Sequence, residues 1–160
     1  MFDTHIHTKF SSDCKMEIED AIKSAENKNM SMIITEHMDL KFPEEGLFCF
    51  DVQDYFEKYS KYRKDNVLLG VELGMKEDCI EESRELVKSN PFDYIIGSVH
   101  LIDNLDIYYN KYYEGKNKQE AYEKYLRTLY RSVKAFDFID SIGHIDYIAR
   151  YAKYDDKEIY

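Results

Sequence analysis

Val67-Leu68-Leu69-Gly70-Val71-Glu72 is an apolar run closed by a carboxylate, and Tyr94-Ile95-Ile96-Gly97-Ser98-Val99-His100 is a second, closed by an imidazole. Between them Ile80, Ser83, Leu86 and Val87 recur at helical spacing and stop ahead of Pro91. Two short strand-like runs joined by one amphipathic helix read as a βαβ unit, which implies parallel strands and a right-handed crossover. The alternation extends both ways. Met1 to His7, Met32 to Thr35 and Phe138 to Gly143 are further strand candidates. Helices are expected around Ile18, Ala21, Ile22 and Ala25, around Tyr55, Phe56, Tyr59 and Tyr62, and along Tyr122, Leu126, Leu129, Val133 and Phe136. The pattern predicts one α/β domain over residues 1–160, with about five parallel strands and flanking helices. A closed barrel takes about eight such units and roughly 250 residues, so an open sheet is one outcome.

The polar residues fall in one place on this pattern. All five histidines lie at or just beyond predicted strand ends: His5 and His7, then His37, His100 and His144. Glu72 closes a strand of its own. Parallel α/β folds bind ligands at the carboxyl ends of their strands, so six metal-competent side chains converge on one rim. His5 and His7 are two residues apart and leave the same side of one strand. One strand-end histidine alone is more often structural than a ligand; five together point to metal. A carboxylate such as Glu72 can bridge two cations, which an imidazole cannot. Imidazole with carboxylate suits Zn, Fe or Mn rather than Ca or Mg.

Composition bounds the partners. The net charge is −10, which repels nucleic acid and anionic membranes but permits a small phosphorylated substrate beside bound cations. Cys14, Cys49 and Cys79 are odd in number and widely spaced, as in a reducing compartment. No apolar run is long enough to span a membrane. The first residues lack a signal-peptide pattern. A cytoplasmic protein is expected.

Asp3-Thr4-His5-Ile6-His7, Ser12-Asp13, Thr35-Glu36-His37, Gly70-Val71-Glu72, Gly97-Ser98-Val99-His100 and Gly143-His144-Ile145-Asp146 occur in that order. Together they resemble the successive motifs of the PHP (polymerase and histidinol phosphatase) family over nearly the whole chain. The runs around His100 and His144 resemble its histidinol-phosphate phosphatase branch. The resemblance implies a distorted (β/α)7 barrel with two or three divalent cations. His5, His7 and Glu72 would hold one cation. Glu72, His100 and His144 would hold a second, and Asp13 and His37 would contribute to a third. It implies hydrolysis of a phosphate monoester, L-histidinol phosphate, by a metal-activated water, with Glu72, His100 and His144 as the catalytic core. Arg150, six residues past His144, is the candidate phosphate clamp; without the family it reads as a surface arginine.

The family's late Asp-x-His motif has no counterpart, since no histidine follows His144. The expectation is an N-terminal part of a PHP domain, lacking the last barrel strands, with uncovered sheet edges that invite self-association. Other expectations are bland. Asp39 and Glu36 read as orienters of His37 or as surface groups, and Asp13 alone as a helix cap or a turn residue before Glu17. Ser12 and Ser98 are plausible phosphate neighbours. The tyrosines Tyr108, Tyr109, Tyr112 and Tyr113 read as packing or loop anchors. Two further readings stay open: another PHP phosphoesterase, acting on a nucleotide, a phosphodiester or phosphotyrosine, and a metal-binding fragment without activity.

Overall fold

A computed structural model describes residues 1–155. Five parallel strands form one sheet: β1 (Phe2–Ile6), β2 (Ser31–Met38), β3 (Val67–Gly74), β4 (Ile95–Ser98) and, outermost, β7 (Ser141–Ile142). Their spatial order follows the order in the chain. A doubly wound sheet reverses its order at a switch point. Strand after strand added on one side is instead the progression of a (β/α) barrel, so the expected partial barrel is what the chain forms. Helices α1 (Ile18–Asn27), α2 (Val52–Tyr59), α3 (Ile80–Ser89) and α4 (Lys118–Ala135) make the crossovers, and α5 (Tyr147–Tyr151) follows the last strand. No helix among the described residues is long and apolar enough to cross a membrane.

The central strands are built from period-2 alternation. On β3, Val67, Leu69, Val71 and Leu73 join the hydrophobic clusters beneath the helices. Leu68, Gly70, Glu72 and Gly74 therefore face the other side. Met32 and Ile34 of β2 pack with Ile18, Ala21, Tyr55 and Tyr59. A second core gathers Val99, Ile107, Tyr112, Tyr125, Leu129, Phe136 and Ile148.

Several elements differ from the sequence expectation. β2 and β3 each run further, so His37 and Glu72 lie inside strands rather than beyond or at their ends. The register pairs them directly. A hairpin of β5 (Leu101–Ile102) and β6 (Leu105–Asp106) follows β4. Its turn residues Asp103 and Asn104 both take positive φ, 53° and 59°, the signature of a tight hairpin turn that Asp and Asn tolerate. Helix α4 begins with a capping box between Asn117 and Glu120. It buries Ala121, Tyr125, Thr128, Leu129 and Ser132, while Leu126 is 52% exposed. Its inner face is thus rotated from the expected one. Tyr125 and Leu129 enter the core beside the small Ala121, and of the expected face Leu126 turns outward.

Candidate metal centre

Glu72 is fully buried, and five imidazoles surround its carboxylate. On the Oε2 side lie His5 Nε2 at 3.1 Å, His7 Nε2 at 3.4 Å and His37 Nδ1 at 3.0 Å. On the Oε1 side lie His100 Nε2 at 3.4 Å and His144 Nε2 at 3.2 Å. Donors bound to one zinc at about 2.0–2.1 Å in a tetrahedron stand roughly 3.3 Å apart. The four Nε2 distances match that spacing. Glu72 Oε2, His100 Nε2 and His37 Nδ1 are buried without a hydrogen-bond partner. Buried polar atoms are normally paired, and a cation between them would satisfy several at once. The residues present therefore fit divalent cations, one against each oxygen of Glu72.

Each side chain reaches this point for a local reason. His5 lies on β1 and His7 just after it, on the same face. Ser98 donates to Glu72 Oε1 at 2.6 Å. This buried serine fixes the carboxylate from below rather than facing a phosphate. Gly143 leaves it room: a Cβ there would stand 2.0 Å from Ser98 Oγ. Ser12 is drawn elsewhere, accepting from the Phe48 amide. Glu36, fully buried, accepts from the Thr8 amide and hydroxyl and from Ser11 Oγ, so it pins the loop that follows His7. Ser11 Oγ in turn accepts from the His37 amide and lies 3.3 Å from His7 Nδ1. Asp39 is 3% exposed and lies 2.8 Å from His100 Nδ1. The surface option for Glu36 and Asp39 does not hold, because both close hydrogen bonds beneath the imidazoles.

Asp13 lies in a turn and caps no helix. Helix α1 starts after Glu17 with no side-chain cap, and Asp13 Oδ2 lies 3.6 Å from His37 Nε2 at the half-exposed mouth. Arg150, on α5, is exposed and lines the same cleft of about 410 Å³, together with Tyr147 and Tyr151. Tyr147 stacks on His144, with ring centroids 4.7 Å apart. Both tyrosines lie in the run from Ile142 to Tyr151 that resembles the phosphatase branch, but nothing in the sequence assigns either a role. Of the other tyrosines, Tyr112 and Tyr113 anchor backbone carbonyls, whereas Tyr108 and Tyr109 are exposed. Cys14 lies behind the rim, its thiol directed at the His7 carbonyl.

The electrostatics follow from crowding. Burial alone would raise Glu72, but His100, His144 and His37 hold it well below the usual carboxylate range. Burial likewise opposes charge on His100, yet Asp39 and Glu72 keep it well above an ordinary histidine. His37 is pulled down by burial but held up at about 9 by Asp13 and Glu72. Burial and the His37 charge push His7 down to about 4; the two rings stack at 4.1 Å.

A family profile described as "PHP domain" matches residues 3–160. A probable histidinol-phosphatase of Clostridium acetobutylicum is 49% identical over the whole chain, which covers 63% of that relative. The histidinol-phosphatase of Lactococcus lactis subsp. lactis is 33% identical over 98% of the chain and 61% of its own length. A crystal structure of histidinol phosphate phosphatase from that species, complexed with zinc, L-histidinol and phosphate, superposes with a TM-score of 0.90 at 31% identity. It is matched over 98% of this chain and 62% of that one. The chain spans about three fifths of the length of the relatives it matches.

Proposed function

The chain belongs to the PHP domain family, and from that premise we propose that it carries the metal-binding core of a phosphate monoester hydrolase acting on L-histidinol phosphate. The observation that carries the reading is the ring of Nε2 atoms 3.1–3.4 Å from the two oxygens of Glu72. His5, His7 and Glu72 would hold one cation, and Glu72, His100 and His144 a second, with Glu72 shared. Asp13 and His37 offer donors to a third. Imidazole and carboxylate together favour Zn, Fe or Mn. When bound, such cations supply charge for phosphate oxygens and lower the pKa of a coordinated water toward neutrality.

The protein's own groups do the remainder. Glu72 keeps the cations together, and Ser98 keeps Glu72 from rotating. Arg150 faces the cleft and can hold phosphate oxygens bidentately. Tyr147 and Tyr151 shape the cleft wall and exclude water from one side of it. The named relatives and the zinc, L-histidinol and phosphate complex support the substrate.

Elemental analysis with phosphate release from L-histidinol phosphate tests the reading, on the parent chain, Glu72→Ala and His100→Ala. Close to two bound divalent ions in the parent and their loss in Glu72→Ala are expected. A parent that binds no divalent cation overturns it. The coverage of about three fifths of the relatives favours a second reading, in which these residues alone bind cations without turnover. Bound zinc with no phosphate release would select that one.

A further inference from the structure

One buried acid in the centre differs from the donors to Glu72. Asp39 Oδ1 lies 2.8 Å from His100 Nδ1. That is a hydrogen-bond distance, shorter than the roughly 3.3 Å expected between two donors to one zinc. At that distance Asp39 Oδ1 accepts from His100 Nδ1, although Asp39, His37 and His100 also stand close enough together to hold a cation. A neutral imidazole that donates from Nδ1 has its Nε2 lone pair free, and His100 Nε2 is the atom turned toward Glu72 Oε1.

The arrangement around Asp39 is built. The residue is 3% exposed. It lies one residue beyond β2, two residues after His37. Its second oxygen lies 3.7 Å from His37 Nδ1. On the neighbouring strand Gly74 leaves the space the carboxylate fills: a Cβ there would stand 2.2 Å from Asp39 Oδ1 and 2.6 Å from its Cγ. We propose that Asp39 is a positioning residue that holds the His100 ring by its Nδ1–H, so that Nε2 is the atom offered beside Glu72, and that Gly74 exists in this strand to admit it. The proposal rests on the metal-binding reading for its purpose, but its geometry can be tested apart from it.

Carboxylates behind metal-bound histidines fix the tautomer, and their loss typically weakens metal binding about 10–100-fold. Asp39→Asn keeps the shape. Its amide can instead turn an NH2 toward Nδ1, which leaves the ring proton on Nε2. In the metal-free parent, proton NMR should show a slowly exchanging, strongly downfield ring N–H assigned to His100 Nδ1. Asp39→Asn should lose it with the circular dichroism of the fold unchanged. Gly74→Ala, which touches no histidine, should lose it too. If the parent lacks that resonance, or if it survives in Asp39→Asn, the proposal is overturned.

Chelator competition for zinc is the second arm. One of the parent's two zinc ions should bind about 10–100-fold more weakly in Asp39→Asn, with the other unchanged. Equal affinities for both ions in parent and variant would overturn the proposal. A parent that shows the resonance but takes up no zinc would end the metal reading and leave Asp39 in its place on His100.

Discussion

The centre of the sheet and its two margins supply the candidate site very differently. β2 and β3 pair through seven consecutive residues, from Met32↔Val67 to Met38↔Leu73. They place His37 and Glu72 side by side, with side-chain exposures of 10% and 0%. At the margins β7 pairs with β4 through only two residues, and the β1–β2 register shifts between Asp3 and Ile6. These margins carry His5 and His7, with side chains 27% and 23% exposed, and lead to His144. The acid that would be shared is therefore locked by long pairing, and the looser strands supply His5 and His7 to one cation site and His144, beside the buried His100, to the other. Cations bound between them would tie the margins to the centre.

The largest expected effect removes the tie at its centre. Zinc at 100 times its dissociation constant should stabilise the parent by about 2.7 kcal/mol, or roughly 5–10 °C in melting temperature for a chain of this size. Glu72→Gln should abolish that shift, because both cations lose a donor. A shift that persists in calorimetry would place the ions elsewhere.

One margin at a time gives a smaller effect. His7→Ala and His144→Ala should each cost one zinc ion and keep the other, read by elemental analysis after dialysis. Loss of both ions in either variant would mean that the two margins do not act separately.

The pH dependence is smaller still. The His37 pKa rises from 6.5 to about 9 in the metal-free fold. A raised folded-state value means that the protonated ring stabilises fully below about 6.5 and that this contribution fades as pH rises through about 9. Cation binding runs the other way, since ligands must shed protons. The zinc-induced rise in melting temperature should grow between those pH values, with protons released in calorimetry. A constant shift without proton release would show His37 uninvolved.

The smallest effect tests the surface against the core. Leu126→Glu lies on an outer face of α4 and should change stability by less than about 0.5 kcal/mol in urea denaturation. Leu129→Ala, in the core three residues on, serves as the control and should cost about 2–5 kcal/mol.

Much of this was legible in the residues. The alternation of short apolar runs with helical stretches follows directly from period, and so does the gathering of the histidines toward one end of the sheet, although β2 and β3 run on past the expected ends. The βαβ reading needed only Val67 to His100. Less visible were the hairpin after β4, whose signal was no more than Asp103-Asn104, and the true inner face of α4. There, Ala121, Thr128 and Ser132 share the buried face with Tyr125 and Leu129, which a count of large apolar positions overlooks. The burial of Glu36 and Asp39 was hidden too, because a carboxylate beside a histidine looks the same in sequence whether water or a serine hydroxyl completes it.

Local pattern by itself determined the strands, their parallel sense and the set of side chains on one rim, because strand and helix periods are properties of neighbouring residues. Tertiary structure alone decided which oxygen of Glu72 each imidazole faces, and that Ser98, Ser11 and Asp39 stand behind them. Those contacts join residues 4 to 61 positions apart. They depend on strand register and on the space left by Gly74 and Gly143, which no local period encodes.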